Sequence, residues 1–258
     1  MEGIDGVFLL SALWLLQCHE YPTTAFDVNV RGTFNVIMAA IDAKVKRVVY
    51  SSSASVYGDA VETPMTEDHP YNNFTFYGAT KIACEHFFKS LGHRYGLPWV
   101  GLRYMNVYGP RQDYRGAYIA VMHKILDRIE SGEKPQVYGD GSQMYDFVHV
   151  TDVARANVCA MNSEASGKCY NVGRGIGTSI NELTKLLIRL TGSNTDIEYL
   201  PAGQTFVTNR IGYTENAERD LGYKWTIDLD VGMKSLIDWR NSDREAMDAR
   251  RRAIGMIQ

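Results

Sequence analysis

This 258-residue chain has no apolar run long enough to suggest a membrane span. The best candidate, Val7 to Leu16, is interrupted by Ser11 and comes after the acidic Glu2 and Asp5. Its length argues against a bilayer crossing, and its acidic approach argues against a secretory leader. It reads instead as a buried strand and the segment after it. Cysteine is scarce. Cys18, Cys84, Cys159 and Cys169 show no Cys-x-x-Cys spacing and no histidine at ligand distance. That excludes a disulfide framework and a zinc site, and predicts reduced thiols in a cytoplasmic protein, with a Cys159–Cys169 bridge left open. An excess of positive charge is missing too: 27 Lys and Arg against 30 Asp and Glu leave a net charge of −3. Nucleic acid is therefore not an expected partner. The six histidines, at 19, 69, 86, 93, 123 and 149, show no ligand spacing, so no metal is expected.

One absence bears directly on chemistry. No glycine-rich turn joins a first strand to a first helix. Gly3-Ile4-Asp5-Gly6 has a fragment of such spacing, but no strand precedes it and no helix comes after. Gly173-Arg174-Gly175-Ile176-Gly177 lies between a predicted strand and a predicted helix, with Asp196 at roughly the distance of a ribose-binding carboxylate. Ser179 and Glu182, however, form a capping box there, and the stretch reads as structural punctuation.

With 45% hydrophobic and 22% charged residues, there is material for one large core and a small appended lobe. Strands are predicted at Gly6–Leu10, Arg47–Ser52, Trp99–Arg103, Gln136–Tyr138, Tyr145–His149, Cys169–Val172 and Ile197–Leu200. Helices are predicted at about Ala25–Ala43, Thr75–Tyr95, Tyr118–Ser131, Thr151–Met161, Ser179–Leu190, Thr214–Leu221 and Asp230–Trp239. The first of these carries Phe26, Val30, Phe34, Ile37 and Ile41 at helical spacing. Alternation of strand and helix predicts an α/β fold with a doubly wound parallel sheet. The tail, Asn241–Gln258, is rich in arginine and reads as a solvated helix or a frayed end.

Into this frame fall Ser51-Ser52-Ser53, at the end of a strand, and Tyr77-Gly78-Ala79-Thr80-Lys81, at the start of a helix. Helix positions four apart share a face, so Tyr77, Lys81 and Glu85 line one stripe. A free phenol has a pKa of about 10 and is a poor base near neutrality. A neighbouring ammonium favours the phenolate, and a strand-end hydroxyl can share the proton. Such a set can remove a proton from a sugar or alcohol hydroxyl while hydride leaves the same carbon, and the hydride needs an acceptor.

The chain resembles the extended short-chain dehydrogenase/reductase family in its NAD-dependent epimerase/dehydratase branch, and most of all the UDP-glucose 4-epimerases. The resemblance runs from about Gly6 to Trp239. It rests on Asn29 to Asn35, Arg47 to Gly58, Tyr77 to Lys81, Leu102 to Pro110 and Asp146 to Val153, in the family's order. It implies Ser53, Tyr77 and Lys81 as catalytic residues. Where NAD binds, it implies contacts from Ser51, Ser52, Tyr77, Lys81 and Tyr104. Asn106, Arg111 and Arg210 are the implied substrate-binding residues, for a UDP-sugar.

The resemblance begins at the family's fourth strand, and the glycine-rich half is not in the sequence. The expected architecture is therefore a truncated Rossmann-like domain over residues 1–112, with a strand and helix returning from about 134–162. Residues 113–133 and 163–240 would form a substrate lobe, and 241–258 the tail. NAD, expected from the resemblance, would bind weakly or not at all. The Gly6–Leu10 edge, lacking its neighbour, would drive formation of a homodimer or tetramer. Departures from the family pattern are Tyr145 in place of an Arg, Tyr213 in place of an Asp, and Leu9-Leu10-Ser11-Ala12 in place of His-Leu-Ala-Ala. Two functions stay open: an epimerase with impaired NAD binding, and a cofactor-free sugar-nucleotide-binding or structural protein, or product of a truncated gene. Unrelated proton-transfer chemistry by Tyr77 is a third.

Overall fold

The structure is a computed structural model that describes residues 1, 3–113, 120–202 and 209–253. Strands are β1 (Gly6–Leu9), β2 (Arg47–Ser53), β3 (Trp99–Tyr104), β4 (Asn106–Tyr108), β5 (Gln136–Tyr138), β6 (Met144–Tyr145), β7 (Phe147–His149), β8 (Lys168–Val172), β9 (Thr178–Ser179), β10 (Glu198–Leu200) and β11 (Asn209–Arg210). Helices are α1 (Leu15–Glu20), α2 (Pro22–Ala25), α3 (Gly32–Asp42), α4 (Phe76–Tyr95), α5 (Val121–Glu130), α6 (Val150–Asn162), α7 (Ile180–Thr191), α8 (Glu215–Leu221) and α9 (Leu229–Ala253).

The main sheet is parallel, in the order β1-β2-β3-β8. Successive strand residues face opposite sides. In β2, Val48 and Tyr50 join the core made with Ile37 and Ala40 of α3 and Cys84 and Phe88 of α4. Val49 joins the other core, with Val153, Ala156 and Ala160 of α6. Burial on both faces is what a continuous apolar strand requires. A third core, around Met122, Leu126, Phe147, Leu187, Met233 and Leu236, lies among α5, α7 and α9. Short ladders knit this part to the sheet ends: β4 on β7, β11 on β6, β6 on β9 and β10 on β5.

Several elements differ from the reading of the sequence. The Val7–Leu16 run holds the last three residues of the strand Gly6–Leu9, an irregular stretch, and the first two residues of the six-residue helix α1. The long helix begins at Pro22, ahead of Ala25, and contains a π-helical turn at Phe26–Arg31. That turn shifts the side-chain phase: Val30 and Ile37 are buried, whereas Phe26 and Phe34 are exposed. The last helix does not stop near Trp239 but continues to Ala253. The predicted start at Tyr118 lies outside the described residues. All four cysteines are free thiols, so the Cys159–Cys169 bridge is not formed.

Among the described residues, β1 pairs only with β2, and Phe8 is 46% exposed. No helix among them is long and apolar enough to cross a membrane, and none of their His, Cys, Asp and Glu side chains gather into a metal-binding group.

Candidate active site

The strand β2 ends in three serines, and strand parity sends their hydroxyls to different places. Ser51, on the α6 side, shares a 2.9 Å hydrogen bond with the Tyr104 phenol, which donates in turn to Asn157 of α6 at 3.0 Å. Ser52, on the α4 side, donates to Glu85 at 2.5 Å. Ser53 closes the strand and caps the 3₁₀ turn Ala54–Val56, accepting from the Ser55 amide at 3.1 Å.

Helix α4 starts where it does because Thr75 accepts the Gly78 amide at 3.0 Å, an N-cap that puts Tyr77 in the first turn. Gly78 permits the close seat of that turn on the strand end. A Cβ there would lie 2.5 Å from the Ser55 carbonyl oxygen and 2.2 Å from Asn73 Oδ1. From the opposite side, Asn29 in the π-helical turn accepts the Leu13 amide at 2.7 Å and donates to the Leu13 carbonyl at 2.9 Å and to Thr80 at 3.2 Å. One amide thus fastens the segment after β1 to the tyrosine-bearing turn.

Lys81 is 3% exposed and donates to the Ser51 carbonyl at 2.7 Å. Its ammonium lies 5.0 Å from the Tyr50 ring centroid and 5.6 Å from that of Tyr77. An ammonium has three donors, and the one hydrogen bond leaves two for an acceptor brought from outside. Burial pulls its pKa down to about 8, partly opposed by Cys84, Cys18 and Glu85.

Tyr77 departs from the expectation drawn from its spacing to Lys81. Its phenol is not eased toward ionisation but pushed up to about 12 by burial. The groups that work against that rise are the Ser53 hydroxyl and the guanidinium of Arg210. The cation that helps Tyr77 here therefore comes from β11, far along the chain.

Arg210 reaches the site through the short ladders. β11 pairs with β6, the Asp146 amide donates to the Arg210 carbonyl at 2.9 Å, and the Asn106 amide donates to the Asp146 carbonyl at 2.9 Å. Backbone bonds thus bring Asn106, Tyr145 and Arg210 together. Two donors in this group have no partner among the described residues: Asn106 Nδ2 and Arg210 Nε, both buried. Desolvation lowers the Arg210 pKa, countered by Tyr145, Asp59 and Tyr77. Arg111 stands apart, exposed and at a left-handed φ of 72° in the turn after Gly109.

The second glycine cluster holds no ligand space. Asp146, fully buried, accepts the Arg174 and Gly175 amides at 2.8 and 2.9 Å, filling that turn with a carboxylate of the protein's own. The capping box at Ser179 and Glu182 is formed. What the sequence left unassigned is the partner of Glu85. Arg103 of β3 meets it in a buried two-pronged ion pair at 2.8 and 3.0 Å.

Comparison with known proteins places this geometry. The family model described as "NAD dependent epimerase/dehydratase family" matches residues 1–173. A putative UDP-glucose 4-epimerase of Methanocaldococcus jannaschii is 35% identical over 227 residues, 87% of this chain and 73% of that protein. The dTDP-D-glucose 4,6-dehydratase of Homo sapiens is 30% identical over 218 residues; 82% of this chain is matched, and it spans 61% of that relative's length. Among solved structures, the UDP-glucose 4-epimerase of Thermotoga maritima with UDP-glucose superposes with a TM-score of 0.87 at 31% identity, over 93% of this chain and 78% of that one.

Proposed function

The chain belongs to the NAD dependent epimerase/dehydratase family, and from that premise we propose that its site binds a UDP-hexose and handles the proton of the sugar's 4-hydroxyl. The observation that carries this reading is the pair of buried donors, Asn106 Nδ2 and Arg210 Nε, left without acceptors among the described residues. Burying a donor unpaired costs roughly 1–3 kcal/mol, which an anion placed there would recover. A diphosphate suits an amide and a guanidinium, and Arg is well shaped for it. The Thermotoga relative with UDP-glucose supports the same ligand.

Tyr77 would take and return the hydroxyl proton, with Ser53 sharing it in a hydrogen bond. The anion beside Arg210 would lie next to the phenol whose charge that arginine steadies. The two spare donors of Lys81 fit the ribose hydroxyls of a nicotinamide nucleotide, and NAD, when bound, supplies the hydride acceptor and donor. The residues present fit only that half of it. Among the described residues no glycine-rich turn is open to a pyrophosphate, so by themselves they should hold NAD weakly.

Calorimetry on the 258-residue chain tests this. UDP-glucose should bind, and NAD should bind with a Kd of about 1 mM, roughly a thousandfold weaker than a micromolar cofactor. Interconversion of UDP-glucose and UDP-galactose at saturating NAD would make it an epimerase. Binding without turnover would make it a sugar-nucleotide-binding protein. No UDP-glucose binding would overturn the proposal. The edge of β1 that no described strand pairs, with Phe8 exposed, is a surface on which a second copy could add strands, read by light scattering.

A further inference from the structure

We propose that Ser52 and Glu85 are positioning residues that set the distance between the serine-bearing strand and the helix carrying Tyr77 and Lys81. The inference rests on the reading of that site as the reacting one. Ser52 lies on the α4 face of β2, the face it shares with the buried Tyr50 beside Lys81. Its hydroxyl donates into the α4 side of the sheet, to Glu85 Oε1, with both residues buried. Glu85 lies four positions after Lys81 and eight after Tyr77, on the same stripe of α4, so displacement of one is transmitted to the others.

Every hydrogen-bonding direction of Glu85 is fixed. Oε1 accepts Ser52 and Arg103 Nε, while Oε2 accepts Arg103 Nη2 at 2.8 Å and the Tyr71 hydroxyl at 3.2 Å. Arg103 is the register neighbour of Ser52 on β3. Its remaining donors go to the Tyr57 hydroxyl at 2.9 Å, the Glu67 carbonyl at 2.9 Å and the Tyr71 hydroxyl at 3.0 Å. Two strands, one helix and the 57–71 segment thus meet on one carboxylate. A buried ion pair is a poor device for stability alone, since apolar packing of the same volume does as well. Directional bonds at fixed distances are what it adds.

The coupling to Lys81 runs through a single peptide plane. The Ser51 carbonyl that accepts the Lys81 ammonium belongs to the peptide unit joining Ser51 to Ser52. That unit is planar and stiff, so a change in where Ser52 is held turns the carbonyl that holds Lys81. Ser53, whose hydroxyl works against the rise in the Tyr77 pKa, is the next residue. One tether, on the α4 side of the strand, therefore governs the placement of both groups.

Ser52→Ala tests this without changing any charge near Lys81, whose neighbours are the Cys18 and Cys84 thiols, Glu85, and the Tyr50 and Tyr77 rings. In the full chain with ¹³C-labelled lysine, the Lys81 resonance is assigned by its loss in Lys81→Met. Its midpoint, at about 8 in the parent, should fall by about half a pH unit in Ser52→Ala as the carbonyl turns away, and return in Ser52→Thr. At saturating NAD, kcat for UDP-glucose epimerisation should drop about tenfold in Ser52→Ala with KM for the sugar nucleotide changed less than about twofold, again restored by Thr. A folded Ser52→Ala chain, judged by near-ultraviolet circular dichroism, with an unmoved Lys81 midpoint overturns the inference. Loss of NAD affinity with Lys81 unmoved would make Ser52 a direct cofactor contact and overturn it equally. Should the parent show no turnover, the catalytic reading fails, and the lysine titration still decides whether Ser52 positions the amine.

Discussion

The two halves of the site are built on opposite principles. Around Glu85 and Arg103 every polar atom is matched within the protein, and the residues are at most 4% exposed. Around Asn106 and Arg210 the backbone is matched, through β4, β6, β7 and β11, while side-chain donors are left without acceptors among the described residues. The first half keeps its geometry whether or not a ligand is present. The second carries a standing polar cost that a ligand relieves. Substitutions should therefore separate: on the Glu85 side they lower stability, and on the Arg210 side they lower binding.

The sharpest break of that contrast is Glu85→Ala. It strands the Arg103 guanidinium in the core, and removing one partner of a buried pair costs about 3–5 kcal/mol. Urea unfolding should show a fall of that size; a loss under about 1 kcal/mol would mean that water reaches Arg103 and that the two halves are not different in kind.

Arg210→Met is the mirror experiment. It removes a desolvated cation that lacks a partner at Nε among the described residues, so the ligand-free chain should melt no lower than the parent. UDP-glucose affinity should fall by about 1.5–3 kcal/mol, the value of a hydrogen bond to a charged group, or roughly 10- to 150-fold. A lower melting temperature with unchanged affinity would place Arg210 in the structural half.

Lys81 sits where the halves meet. Its ammonium is held at about 8 against 10.5 for an ordinary lysine, a burial cost of about 3 kcal/mol at neutral pH, offset by about 1 for its hydrogen bond. Lys81→Met should thus gain about 2 kcal/mol at pH 7. The sign of the pH dependence comes from the depressed pKa. Below pH 8 folded and unfolded chains are both protonated and the cost is full. Between 8 and 10.5 the folded chain releases its proton first, so the parent's stability relative to Lys81→Met rises with pH across that window. Denaturation midpoints at pH 7 and pH 10 measure the difference, and a gap that fails to narrow would refute the buried ammonium.

Much of this was legible in the sequence because the motif residues sit on elements whose periodicity is local. The Tyr77, Lys81 and Glu85 stripe is a helical spacing, and β2 and β3 announce themselves as apolar runs. The alternation of Ser51, Ser52 and Ser53 was equally available from strand parity, yet which serine met which helix needed the order β1-β2-β3-β8. The π-helical turn at Phe26–Arg31 was invisible because one extra residue per turn leaves composition unchanged and moves only the phase, as exposed Phe34 shows. Nor could spacing reveal Arg210 beside Tyr77. That neighbourhood is made by two-residue strands, too short to carry a pattern, joined by ladders between distant segments. Cooperation of near neighbours was readable; cooperation across the lobe was not.

The smallest effect probes whether the two halves are separable even at their closest approach. Thr75 caps α4 two residues before Tyr77, accepting the Gly78 amide, and is itself steadied by a 2.7 Å hydrogen bond to Asn73. Losing such a cap costs about 1 kcal/mol. The cap touches neither Asn106 nor Arg210, whose donors are held from β4 and β11. Thr75→Ala should therefore lower the unfolding free energy by about 1 kcal/mol while leaving UDP-glucose affinity within about twofold. If affinity falls in proportion to stability, the first turn of α4 is being ordered by the ligand, and the matched half is not preformed after all.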